Sequence, residues 1–224
     1  EFPAGRLQAL DVSWDSRPRE QGGQRWFRLN PDEKIPPGDL LHWTGPNLNW
    51  NYMCAECHST NLMKNYDSAS NSYDTSWSEI NVSCEACHGP GESHVDWANS
   101  KEKSANNMGL TTNFNERKGV SWSINSETGQ PVRSEPRKSN REIEACAVCH
   151  SRRSQIAENN QPGEKFNDSF QPSLLTERLY HADGQIDDEV YVYGSFLQSK
   201  MYQAGVTCSD CHNPHLADLH APGE

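Results

Sequence analysis

The chain has 224 residues and a formal net charge of −11, from 20 basic and 31 acidic side chains. Hydrophobic residues make up only 33% and mean hydropathy is −0.91, lean for a core built from side chains alone, and no apolar run approaches the ~20 residues of a membrane span. An acidic chain without a basic cluster argues against nucleic-acid binding and fits attraction to basic partners.

Residues 7–14 read as a strand, since Leu10, Val12 and Trp14 alternate with Asp11 and Ser13. The turn-rich connector from Arg17-Pro18 to Gly22-Gly23 predicts a returning strand at Arg25-Trp26-Phe27-Arg28-Leu29, a hairpin inside an N-terminal extension of residues 1–40. A loop beginning Ile35-Pro36-Pro37-Gly38 precedes a short helix expected within residues 47–58. Residues 62–66 and 72–77 flank a polar turn and read as a second hairpin. Residues 84–88 read as a helical turn broken by Gly89-Pro90-Gly91, followed by a helix carrying His94 and Trp97. Residues 100–140 are polar and read as a surface excursion with one hairpin, 120–124 against 130–132. Beyond it the pattern predicts a helix over 141–152, a polar loop over 158–172, and helices over 174–180 and 193–202. All seven Trp precede residue 123, which predicts the larger side-chain core in the first half.

Four pentapeptides stand out: Cys54-Ala55-Glu56-Cys57-His58, Cys84-Glu85-Ala86-Cys87-His88, Cys146-Ala147-Val148-Cys149-His150 and Cys208-Ser209-Asp210-Cys211-His212. Together they use all eight cysteines. Two cysteines three positions apart, followed at once by histidine, are the attachment signal for a c-type haem. The sulfurs add across the vinyl groups, and the histidine takes the proximal position at the iron. A CxxC pair alone also makes zinc sites, disulfides and redox pairs. The histidine discriminates, because four such coincidences by chance have a probability of roughly three in a million. Zinc would leave four adjacent histidines unused, and a chain this long does not depend on a disulfide scaffold. The expected cofactor is haem c, in four copies, whose porphyrin faces supply the apolar surface that the composition lacks. Covalent attachment takes place outside the cytoplasmic membrane. The expected location is therefore periplasmic or extracellular, with an export signal removed.

The proximal ligands are then His58, His88, His150 and His212, leaving His42, His94, His181, His215 and His220. An iron closed by two protein ligands shuttles electrons, whereas an open one binds and converts a small molecule. His42, His94, His181 and His215 are assigned as distal ligands, enough to close every site. His220, near the acidic end of the chain, is an extra histidine with two readings, a solvated tail or a ligand supplied to another subunit. His215 lies three residues past His212 with Pro214 between them, too close to wrap to the far face of the same iron, so it has to reach a neighbouring haem. His94 follows His88 across Gly89-Pro90-Gly91, a turn able to aim it in the same way. Met53, Met63, Met108 and Met201 are rival ligands and, with histidine in surplus, read as structural.

The segments CEACHGPGESH (84–94) and CSDCHNPH (208–215) resemble the haem segments of a multihaem cytochrome family. Its best-known member is the tetrahaem electron acceptor of hydroxylamine oxidoreductase. NWNYMCAECHSTNLMKNYD (49–67) and residues 191–215 are similar to multihaem cytochromes often joined to tetratricopeptide repeats. The resemblance spans about residues 40–215. It implies a mostly α fold with haems in van der Waals pairs and mainly bis-His ligation, in which His94 and His215 serve neighbouring haems. That family also contains members with one five-coordinate haem.

The expected fold is mainly α with short β-hairpins and long irregular loops, a single domain over residues 1–224 organised around four closely packed covalent haems. The expected function is electron transfer between redox partner proteins, with no catalytic residue assigned. The alternative is a reductase of nitrogen or sulfur oxyanions at one five-coordinate haem, with Arg152-Arg153 as a cationic neighbour of the third site. A third expectation is assembly into a homo-oligomer or filament through open-ended contacts.

Overall fold

The computed structural model describes residues 2–103, 107–188 and 190–220. The chain divides into two compact units, residues 1–82 and 83–224.

In the first unit, β1 (Val12–Asp15) and β2 (Arg25–Arg28) form the expected antiparallel hairpin, with Trp14 opposite Trp26. The two indoles meet edge to face at 5.4 Å, a favoured geometry for a cross-strand aromatic pair. The expected helix within 47–58 forms in three tight pieces: a 3₁₀ turn Pro46–Leu48, a π-type turn Trp50–Cys54 and α1 (Ala55–His58). The Asn49 side chain caps the π-type turn by accepting from the Tyr52 amide. The second hairpin, β3 (Tyr66–Asp67) with β4 (Ser72–Tyr73), continues through bridges Met63–Ser76 and Thr60–Glu79.

In the second unit α2 (Cys84–His88) ends at Gly89 with φ +73°, the left-handed region that glycine enters without strain. α3 (Glu92–Asn99) follows, then the expected hairpin of β5 (Trp122–Ile124) and β6 (Pro131–Arg133). Residues 104–106 of the expected surface excursion lie outside the described residues. α4 (Arg141–His150) leads into β7 (Arg153–Gln155). The stretch 158–172 departs from the expected polar loop. It contains α5 (Phe166–Ser169) and β8 (Phe170–Pro172), which pairs with β7. Residues 174–180 form turns rather than a helix, and 193–202 splits into α6 (Val192–Leu197) and α7 (Lys200–Gln203) where the Ser199 side chain caps the new helix. α8 (Cys208–Cys211) precedes a last hairpin, β9 (His212–Asn213) with β10 (Asp218–Leu219).

The side-chain core lies in this second unit and not, as the tryptophans suggested, in the first half. Ile143, Ala147, Phe166, Phe170 and Tyr193 form one buried cluster. Phe166 stacks on Phe170 at 5.3 Å and tilts against Tyr193 at 5.0 Å. The tryptophans mislead because Trp14 and Trp26 stand on the exposed hairpin at 46% and 67% accessibility, while Ile143 and Ala147 of α4 pack with the aromatic rings of Phe166, Phe170 and Tyr193. Burial also lifts the Tyr193 phenol, up to about 12.

Candidate haem sites

Each attachment segment sits on a helical turn, which puts the two cysteines, three positions apart, on one face. The two residues between the cysteines dock that turn to the protein. In the first site Ala55 is fully buried and Glu56 pairs with Lys64 at 3.1 Å. In the second, Glu85 accepts from the Gly91 amide at 2.8 Å, closing the loop onto the helix. In the third, Ala147 belongs to the core cluster. In the fourth, the Ser209 amide and hydroxyl both donate to Glu142, at 2.6 and 2.8 Å, while Asp210 pairs with Arg117 at 3.0 Å and caps its own helix through Thr207. His58, His88 and His150 end their helices, but His212 has already turned into extended backbone, at φ −117° and ψ 148°.

In the first unit, Asn51 is wholly buried; it accepts from the Leu7 amide at 2.7 Å and donates to Gly5 and Thr75, tying the N-terminal strand region to the first site. His42 leans on the Trp43 ring, and its Nδ1 is 2.8 Å from the Thr44 hydroxyl. Burial pushes the Cys54 thiol up, with the neighbouring Cys57 adding to the effect.

The ring nitrogens are the informative atoms in the second unit. His88 donates from Nδ1 to the Thr112 carbonyl at 3.0 Å, and the Thr112 amide returns a bond to the His88 carbonyl at 3.1 Å. His94 donates from Nδ1 to the Met108 carbonyl at 2.7 Å. A carbonyl only accepts, so both rings carry a proton on Nδ1, which leaves Nε2 as the nitrogen that could bind a metal, with the outer-shell bond found on metal-ligating histidine. Met108 holds its carbonyl there with φ +57°, and Gly109 beside it passes so close to α3 that an added Cβ would lie 2.2 Å from the Ser93 carbonyl oxygen.

His215 lies in the turn between β9 and β10, where Asn213 Oδ1 accepts from the His215 and Leu216 amides at 3.1 and 3.3 Å. This places the His215 ring 6.1 Å from the His88 ring, the two planes within 7° of parallel. Parallel rings at this separation would leave room for one iron between them, with His88 and His215 the residues that would hold it. The other two histidines are arranged differently. His181 Nε2 faces Asp187 at 3.3 Å, and His220 Nε2 donates to the Ser209 carbonyl at 3.2 Å. Arg153 donates twice to the Val148 carbonyl and lies 4.0 Å over the Phe170 ring.

Several contributors have no signal in the motifs themselves. Thr112 and Met108 act through backbone carbonyls, which any residue supplies. Glu142, four positions ahead of Cys146 and therefore on its face of α4, is the one that helical spacing alone would single out.

These residues fit haem. Among the described residues no group of three or more His, Cys, Asp or Glu is placed to hold a metal ion. Fully buried apolar side chains are few, whereas Tyr52, Met53, Val82 and Val95 near the attachment turns are half exposed or more. Porphyrin faces would cover such surface. No helix among the described residues is long and apolar enough to cross a membrane.

No curated protein and no solved structure matches the chain. A family model described as cytochrome c554 and c-prime matches residues 42–89, which include His42 and the first two attachment segments. Over that stretch the chain is similar to this cytochrome family, and the similarity supports a haem-bearing c-type cytochrome with a general role in electron transfer.

Proposed function

We propose that the chain is a four-haem electron-transfer protein of an exported compartment, passing electrons between redox partner proteins through mostly bis-His irons. A bound haem supplies a one-electron redox centre. The protein supplies the rest. Paired cysteines fix each attachment turn, His58, His88, His150 and His212 offer proximal ligands, and the Thr112 and Met108 carbonyls hold His88 and His94 with Nε2 free. The observation that carries this reading is the parallel pair of His88 and His215, spaced as the two axial ligands of one iron. It accounts for a histidine three residues beyond His212 that has to serve a different haem. His42 is the distal candidate of the first unit, and His94 and His215 are those of the second.

An oxyanion reductase is the second reading, and one observation favours it. Of the four spare histidines in the second unit, His94 is held through Nδ1 and His215 lies beside the His88 ring, while His181 and His220 engage Nε2 with Asp187 and Ser209. Two remaining rings for three irons leave one iron open unless His181 lets go of Asp187. Low-temperature EPR of the oxidised holoprotein, read with a potentiometric titration, separates the two. Wholly low-spin ferric signals and four one-electron waves support the carrier. A high-spin signal from one haem that changes on adding nitrite or sulfite overturns it in favour of the reductase.

A further inference from the structure

The third and fourth attachment segments are 62 residues apart in sequence but share a boundary in the fold. The sulfur of Cys146, on α4, lies beside that of Cys208, the first residue of α8. Cys208 also packs against the core cluster that contains Ile143 and Ala147 of α4. One side chain sets this approach. Glu142 is buried, and its two oxygens take the Ser209 amide and hydroxyl, so the turn between Cys208 and Cys211 hangs from α4 by a two-pronged clamp. Glu142 is itself held in place, since its amide donates to Glu116 Oε1 at 3.2 Å and Ser139 donates to the same oxygen at 2.6 Å. The far side of α8 is secured by Arg117 on Asp210.

Resting on the electron-transfer reading above, we propose that Glu142 is a positioning residue that clamps the third and fourth attachment segments together at Cys146 and Cys208, so that the haems these cysteines would carry are held as neighbours. The order of sites in the second unit is then set by the fold and not by the chain. His215 brings the fourth segment to the second site, and Cys208 brings it to the third.

The test uses the holoprotein with Glu142→Ala, Glu142→Gln and Ser209→Ala, each checked by mass for four bound haems. Soret circular dichroism reports coupling between neighbouring haems, and a potentiometric titration reports how strongly their potentials depend on one another. Glu142→Ala should keep four haems yet lose part of the split Soret signal and move two of the four potentials, Ser209→Ala should do so more weakly, and Glu142→Gln, which still accepts one bond, should recover most of it. Four haems with an unchanged Soret couplet and unchanged potentials in Glu142→Ala would overturn the clamp while leaving electron transfer intact. A wild-type protein with no redox-active haem would instead overturn the reading on which the clamp rests. If Glu142→Ala does not accumulate, Ser209→Ala decides by the same two readouts.

Discussion

Replacing His215 with alanine isolates a single ligand. The residue is exposed in the β9–β10 turn, and that turn is held by Asn213 and by the strand pairing, not by the imidazole. The fold should therefore lose little, within the ±0.5 kcal/mol or so typical of surface substitutions. The effect at the iron should be complete. With His215 serving only the haem of His88, one iron of four loses its sixth ligand, and roughly a quarter of the ferric haem should turn from low to high spin. Spin quantification by EPR, with the high-spin band in the optical spectrum, reads this fraction, and added imidazole should return the spectrum to low spin. A second background identifies the iron. In a protein already lacking the second haem through Cys84→Ala and Cys87→Ala, His215→Ala should add no further high-spin signal. If it still does, His215 serves the third or fourth haem and the 6.1 Å pairing with His88 is not axial.

Gly109→Ala places a Cβ 2.2 Å from the Ser93 carbonyl oxygen at a φ of +72°, so the segment has to move away from α3. The left-handed conformation alone costs about 1–2 kcal/mol, and the Met108 carbonyl should leave His94 Nδ1, visible as altered low-spin g-values for one haem; unchanged g-values would remove Met108 from the outer shell. Phe170→Ala empties a side chain 1% exposed in the core and beneath Arg153, and should cost about 3–5 kcal/mol in chemical denaturation of the holoprotein. A loss below about 1 kcal/mol would mean that the haems, and not this cluster, carry the stability of the second unit. Asp15 is held down to about 2, first by its hydrogen bond from Arg17. A carboxyl depressed in the folded state favours folding above its ordinary range and loses that contribution as pH falls toward about 2. The Trp14–Trp26 fluorescence should therefore change in that acid window, and Asp15→Asn should abolish the pH dependence without moving the haem spectra.

The helical turns at the four Cys-x-x-Cys-His segments were legible in the residues because they depend on local spacing. Cys-x-x-Cys-His needs one helical turn, and any short helix that begins near the first cysteine delivers it. The hairpins of 12–28 and 122–133 were legible for the same reason, since alternation and turn residues act over a few positions. The helix expected over 174–180 failed where local pattern was weak, and α5 with β8 went unseen because Phe166 and Phe170 lie in a polar stretch and gain their burial only against Ile143, Ala147 and Tyr193, distant in sequence. The histidine arrangement was half legible. The short distance to His212 keeps His215 from the far face of any haem that His212 would hold, but its approach to the His88 ring is set by the β9–β10 turn and by the Thr112 carbonyl. The sequence by itself determined that four Cys-x-x-Cys-His segments occur and which histidines stand beside the cysteines, since these are relations between near neighbours in the chain. Only the tertiary structure decided which segments face one another, Cys146 with Cys208 and His88 with His215, because those contacts depend on buried side chains such as Glu142 whose partners are brought together by packing alone.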